Sequence, residues 1–390
     1  MKALVFERSV PRIAAARLAG AITPGRGSRW GALRLVDTEE PALPAPDWAR
    51  VRPSLSGICG SDLSTVDGHA SRWFEPLVSF PFVPGHEVVG RLDDDTRVVV
   101  EPVLGCAARG ISPMCAACTA GDVGRCANIA FGHLSPGLQT GYCSDTGGGW
   151  GAVLVAHTSQ IHTVPDALSD EGAVMIEPTA CAIHGALAAG DVDGAIVAVI
   201  GAGTLGLCTV AALHRLSLPG QLIIAAKHPH QRQLARELGA DVIADAGELT
   251  RAVRRATHSL VVDDRLAGGA DVVIDCVGTA ASLAEALAVV RPRGRVVLVG
   301  MPGRIAVDLT PLWQREIQLV GAYAYGTEGS ADGRRTFDLA MELVHDAGLD
   351  RLVSARYALD RYVDAIEHAA AAGRRGAVKV AFDLRRPGRR

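Results

Sequence analysis

The stretch 196-IVAVIGAGTLGLCTVAALH-214 decides the fold of this 390-residue chain. An apolar, strand-like run ends on Gly201, and a helix-like segment opens at Thr204. Between them lies Gly201-Ala202-Gly203-Thr204-Leu205-Gly206, whose three glycines serve different ends. The first makes a tight turn, the second lets a pyrophosphate approach the backbone, and the third lets helix pack on strand. Free N–H groups and the positive end of the helix then face the phosphates. Gly-rich turns are common, so the motif gains its force from the strand–turn–helix context and from the segments downstream of it.

Beyond this motif, strand-like and helix-like segments alternate: 221-QLIIAA-226, a helix over 230-HQRQLARELG-239, 271-DVVIDCV-277, a helix over 280-AASLAEALAVV-290, then 295-RVVLVG-300 and 317-IQLVGAY-323. Apolar runs separated by amphipathic helices predict a doubly wound parallel sheet buried on both faces. Upstream, residues 1 to about 178 are rich in Gly, Pro and Cys, with short strand-like runs such as 97-RVVVEPV-103 and 151-GAVLVAH-157. From about 325 helices return (336-TFDLAMELVHDA-347, 360-DRYVDAIEHAAA-371) before a strand-like 377-AVKVAFD-383. The expected organisation is an α/β chain with a mostly-β domain over 1–178 and 325–390, interrupted by a dinucleotide-binding domain over 179–324. The Pro-rich 41-PALPAPDW-48 reads as an entry loop.

Hydrophobic residues make up 48% of the chain and the formal charge is −3, which gives no electrostatic case for nucleic acid or an anionic membrane. No apolar run approaches the roughly 20 residues of a membrane helix, and MKALVFERSV reads as a strand rather than a secretory signal. The Arg-rich 384-LRRPGRR-390 reads as a solvated end. Nine cysteines without a signal argue against a disulfide framework, so a cytoplasmic location is expected.

The residue ending the second strand of such a sheet selects the cofactor: an acid accepts from a ribose 2′-OH, and a cation accommodates a 2′-phosphate. Here 222-LIIAAKHPHQR-232 carries Lys227 and His228 in that place, with Arg232 closing the run and no acid before Glu237. NADP is therefore favoured over NAD. The segment 106-CAARGISPMCAACTAGDVGRC-126 holds Cys106, Cys115, Cys118 and Cys126 in a loop of Gly, Ala and Pro. Four thiolates around Zn²⁺ would make a closed structural site that orders a loop with little core of its own. Cys143, Cys181, Cys208 and Cys276 sit among apolar or small neighbours and are expected to be inert.

Two further motifs, 56-SGICGSD-62 and 85-GHEVVG-90, are too far apart to form a local finger. With them, the cysteine lobe, Glu177-Pro178 and the glycine turn, the chain resembles the zinc-dependent medium-chain dehydrogenase/reductase family. That resemblance implies a GroES-like catalytic domain interrupted by a Rossmann domain, with the active site in the cleft between them. It implies Cys59, His86 and Glu177 as ligands of a catalytic zinc, with Glu87 beside the metal and able to exchange with water as a ligand. One thiolate, one imidazole and one carboxylate leave a position open for a substrate oxygen. Ser61, two residues beyond a ligand, is placed to take the hydroxyl proton, the alternative being that it bonds the backbone in its turn. Homodimers or homotetramers are usual in the family.

The chain also departs from the family pattern. Ser112 occupies the usual first lobe position, so Cys106 must complete the site through a longer loop. The stretch after Gly90 is shorter and lacks the usual Gly-Asp before Arg97, while 8-RSVPRIAAARLAGAITPGRGSRWG-31 is longer. Ser64 stands where many relatives carry a relay histidine. The expected reaction is hydride transfer between a nicotinamide and an alcohol or polyol. The alternatives are an NADPH-dependent carbonyl reductase of a biosynthetic pathway and an inactive nucleotide-binding relative. Trp73 and Phe74 suit either a pocket wall or core, and 146-TGGGWG-151 either a ligand loop or a plain turn.

Overall fold

A computed structural model describes residues 1–245, 247–263, 265–329 and 332–385. The end of the Arg-rich tail, 386–390, lies outside the described residues. The chain divides into two compact units, Met1–Glu177 with Gly348–Arg390, and Pro178–Ala347.

The second unit is built on a six-stranded sheet in the order 242–244, 221–225, 196–200, 270–275, 290–298, 318–321, every pair parallel. Strand Ile196–Ile200 is central, and Val197, Ala198 and Val199 are fully buried, as both faces of a helix-covered sheet require. The strand order reverses beside Ile196–Ile200, at whose carboxyl end the glycine turn sits, where open α/β sheets bind ligands. The short strand Val242–Ala244 and the helix Leu249–Thr257, whose apolar Leu249, Ala252, Val253 and Ala256 recur at helical spacing, add to the elements expected from the sequence. The unit also continues past the expected boundary at 325. Helix Thr336–Ala347 packs on helix Thr204–Leu216, and Arg215 pairs with Asp346 at 2.8 Å. The return to the first unit is therefore at Gly348.

The first unit is mostly β. Its main sheet runs 353–357, 379–383, 48–57, 88–91, 97–100, 161–163, with Leu154–His157 also paired to Trp48–Gly57. Lys379–Asp383 from the far end of the chain lies antiparallel to the end of Trp48–Gly57. Lys2–Phe6 pairs with Leu33–Asp37, and the long segment between them forms helices Val10–Ile22 and Gly27–Trp30. Both oxygens of buried Asp67 tie this segment down, accepting from Gly25 N at 2.7 Å and Gly27 N at 2.8 Å. No helix among the described residues is long and apolar enough to cross a membrane.

A candidate metal centre, a cysteine lobe and a nucleotide turn

Strand Trp48–Gly57 ends just before Cys59, which caps the short helix Gly60–Val66. Asp62 Oδ2 accepts from the Cys59 backbone N–H at 3.0 Å and so fixes the cysteine at the helix start. His86 follows Gly85, whose φ of +97° and close approach to the Trp150 ring exclude a larger residue. Donor atoms of Cys59, His86 and Glu87 come within 4.8 Å of one another. Asp62 Oδ1 stands 3.5 Å from His86 Nδ1, a buried ring nitrogen that has no hydrogen-bond partner among the described residues. Burial opposes protonation of His86, but Asp62 and Cys59 outweigh it and raise the imidazole's pKa. The pocket therefore favours positive charge, and its soft and borderline donors suit a zinc ion.

Glu87 is buried against Gly57, where an added Cβ would lie 1.8 Å from Oε2. Both Glu87 oxygens accept from Lys379 Nζ at 2.6 Å, and Ile58 O lies 3.4 Å from the same nitrogen. Burial lowers the Lys379 pKa, yet Glu87, Cys59 and, further down, Glu177 outweigh it and keep the ammonium charged. Sequence reading missed Lys379. Its signal was a lone lysine at the head of the apolar strand Lys379–Asp383, where an unpaired charge is rarely buried. Glu177 is buried at the start of helix Ile176–Leu187 and adds to the field at Lys379, but it stands outside the tight group of three.

Near Ser61 the structure supplies a group that the sequence did not suggest. The Tyr142 hydroxyl donates to Asp62 Oδ1 at 3.3 Å and lies 3.4 Å from Thr65 Oγ1. Burial and the Asp62 charge raise the phenol's pKa, while His86 and the hydroxyls of Thr65 and Ser61 pull it down. Of the two aromatic candidates, Trp73 is 79% exposed and is not core. The 146–151 run is a packed turn, with Trp150 fully buried and donating to Gly57 O at 3.3 Å.

The structure brings Cys106, Cys115, Cys118 and Cys126 together as a second group within 4.8 Å. Cys106 Sγ is 3.7 Å and Cys115 Sγ is 4.0 Å from Cys126 Sγ. Four sulfurs at Zn–S distances of about 2.3 Å in a tetrahedron stand about 3.8 Å apart. Cys115 N and Asn128 Nδ2 point to Cys106 Sγ at 3.4 and 3.3 Å, and Asn128 N to Cys126 Sγ at 3.3 Å. N–H donors aimed at sulfur are what thiolate ligands require. The lobe thus fits zinc, and the longer loop does carry Cys106 into it. Elsewhere, burial raises the Cys276 thiol to about 12 and also raises Cys143.

In the nucleotide turn, Gly201 has φ +95°, and a Cβ on Gly206 would lie 1.7 Å from Gly201 O. A Cβ on Gly203 meets nothing within 4 Å, leaving room for a ligand beside the N-terminus of helix Thr204–Leu216. Thr204 and Leu205 open that helix. Lys227 is exposed just beyond strand Gln221–Ala225. Arg232 is engaged otherwise. Its guanidinium donates to Ala226 O and Lys227 O at 3.1 and 3.2 Å and pairs with Asp245 at 2.7 Å. It shapes the loop that presents Lys227.

Comparison with known proteins agrees with this layout. Residues 45–166 match the alcohol dehydrogenase GroES-like domain, and residues 204–346 the zinc-binding dehydrogenase model. The chain is 28% identical over 346 residues to a sorbitol dehydrogenase of Bacillus subtilis (strain 168), covering 84% of this chain and 89% of that protein. It is 27% identical over 354 residues to an L-idonate 5-dehydrogenase of Vitis vinifera, covering 86% and 87%. An alcohol dehydrogenase from Thermus sp. ATN1 shares the fold, with a TM-score of 0.70 at 24% identity over 99% of this chain and 100% of that one. Two family models in this order, on a parallel sheet with a glycine turn and a mostly-β partner unit, identify the chain as a member of the zinc-dependent medium-chain dehydrogenase family, an oxidoreductase of the zinc alcohol dehydrogenase type.

Proposed function

We propose that this protein transfers hydride between a nicotinamide cofactor and a polyol or other secondary alcohol, or the matching carbonyl. The observation that carries the reading is the buried grouping of Cys59, His86 and Glu87 donor atoms in a chain that also holds an open dinucleotide turn. The sorbitol and idonate dehydrogenases among its relatives support polyols as the substrate class. Cys59 and His86 would hold the catalytic zinc, with Glu87, grouped with them, and Glu177 as the carboxylates of the site. Zinc supplies Lewis acidity there, lowering a hydroxyl's pKa or polarising a carbonyl.

The protein's own residues do the rest. Asp62 fixes the position of Cys59 through its backbone N–H, and its carboxylate charge faces His86. Lys379 balances the Glu87 charge. Ser61 takes the substrate's hydroxyl proton, and the Tyr142 phenol beside it is the next hydroxyl in line. The turn at Gly201–Gly206 receives the pyrophosphate and Lys227 a 2′-phosphate, which favours NADP. The exposed Lys227 with no acid beside it in sequence gives the carbonyl-reductase reading its footing, since reductive steps commonly run on NADPH.

A screen of polyols, alcohols and matching carbonyls with both cofactors, followed at the nicotinamide absorbance, tests the proposal together with metal analysis. About two zinc ions per chain and turnover lost on chelation are expected. Cys59→Ala should lose one ion and all turnover while keeping the fold. One ion per chain, held only by the lobe, would remove the reading.

A further inference from the structure

Arg109 is fully buried, the only arginine so placed among the described residues, and it lies in the loop that carries Cys106 to the lobe. Its backbone N–H donates to Gly105 O and Cys106 O, both at 3.2 Å, so the residue closes the turn just after the first cysteine. Its guanidinium then reaches five backbone carbonyls. Nε donates to Leu104 O at 3.0 Å, and Nη1 to Phe131 O at 2.9 Å and to Leu134 O and Ser135 O at 3.3 Å. Nη2 donates to Gly137 O at 2.5 Å. These acceptors bracket both Cys106 and Cys126, so one side chain gathers the two ends of the lobe.

Every hydrogen-bond acceptor of Arg109 is neutral, and among the described residues no carboxylate lies within ion-pair distance of it. Asp145, a carboxylate whose charge acts on it, is engaged by Ser135 N and by the Ser135 and Ser144 hydroxyls at 2.7–3.1 Å. A buried cation without a counter-ion is strongly unfavourable. Burial does lower the Arg109 pKa, and the side chains that offset this include Cys143, Cys126, Asp145 and Cys106. A divalent ion with four thiolates carries a net charge of about −2. The lobe therefore has the opposite imbalance.

We propose that Arg109 is the built-in counter-charge of the cysteine lobe, a positioning residue that offsets the excess negative charge of its thiolates while tying together the loops that bear Cys106 and Cys126. The proposal rests on the lobe being a metal site, and the zinc count of the unaltered protein tests that separately. It also accounts for how a loop lengthened around Ser112 still closes on the fourth ligand.

The test uses full-length Arg109→Gln and Arg109→Lys proteins. Zinc release from the lobe to a coloured chelator should be roughly 10–100-fold faster for Arg109→Gln, with Arg109→Lys in between. In Co²⁺-loaded protein carrying Cys59→Ala, the lobe alone contributes thiolate-to-metal charge-transfer bands. Loss of a nearby positive charge raises the thiolate electrons in energy, so Arg109→Gln should shift these bands to longer wavelength and Arg109→Lys should leave them near their original place. If Gln and Lys release zinc equally fast and their bands coincide, Arg109 only holds carbonyls and the proposal fails. If neither variant folds, Arg109→Gln paired with Asp145→Asn provides the test. Relief of the defect by Asp145→Asn would show that Asp145, not the lobe, was the counter-ion and would overturn the proposal, and no relief would support it.

Discussion

Replacing Lys379 with methionine keeps a long apolar stem and removes the ammonium that meets both Glu87 oxygens at 2.6 Å. The two side chains are 3% and 1% exposed, so water cannot take over. Leaving one charge of such a pair alone costs about 3–5 kcal/mol. For a unit of this size, about 2–4 °C of melting temperature per kcal/mol gives a fall of about 6–20 °C. Calorimetry on metal-stripped protein measures it without contributions from bound zinc. The double variant Lys379→Met/Glu87→Gln removes the stranded charge and should recover about 2 kcal/mol or more. The pH dependence has a definite sign. Lys379 is held above its ordinary pKa, so its contribution is complete below about pH 10.4 and is lost only as pH rises through the higher folded value. The gap between wild type and Lys379→Met should therefore persist through about pH 7–10 and narrow only above that range. A single variant within about 1 kcal/mol of wild type, or a double variant no better than the single, would refute the reasoning.

The other expectations are independent of that pair. Gly203→Val meets open space, so it should leave stability within about 0.5 kcal/mol while weakening NADP binding about tenfold or more in a fluorescence titration; unchanged affinity would mean the pyrophosphate binds elsewhere. Gly206→Ala, with its Cβ 1.7 Å from Gly201 O, should instead lower the melting temperature of the protein without cofactor, and an unaltered melt would count against the packing described. Lys227→Glu should weaken NADP about tenfold or more and leave NAD binding equal or tighter, read as dissociation constants for both; equal losses for the two cofactors would remove Lys227 from the 2′-phosphate. Asp67→Ala leaves two buried N–H groups without their acceptor and should cost about 2–4 kcal/mol with faster proteolysis within 8–31; an uncut, equally stable protein would show that the segment is held by other means.

What could be read in advance was local. The strand, turn and helix around Gly201 announce themselves through apolar period and glycine spacing within 19 residues, and the structure reproduces them at Ile196–Ile200 and Thr204–Leu216. The cysteine lobe was legible for the same reason, its four thiols lying within 21 residues. Lys379 and Tyr142 were not legible, because their roles depend on partners 292 and 80 residues away. The longer segment 8–31 was visible as a departure, but its two helices and their anchor on Asp67 were not. The expected boundary at 325 failed because the texture of the sequence changes there, whereas the packing of helix Thr336–Ala347 keeps it with the sheet.

The first unit is assembled from both ends of the chain, and this sets an order of events during synthesis. The segment Pro178–Ala347 is complete before Lys379 has been translated, and domains generally fold as units as they emerge. Until the final strand zips onto Trp48–Gly57, Glu87 has no ammonium beside it, and its carboxylate resists burial. Chains cut short before residue 379 would thus hold a finished nucleotide-binding half and an open, charged β half. Closure of the β half around Cys59 and His86 waits for strand Lys379–Asp383.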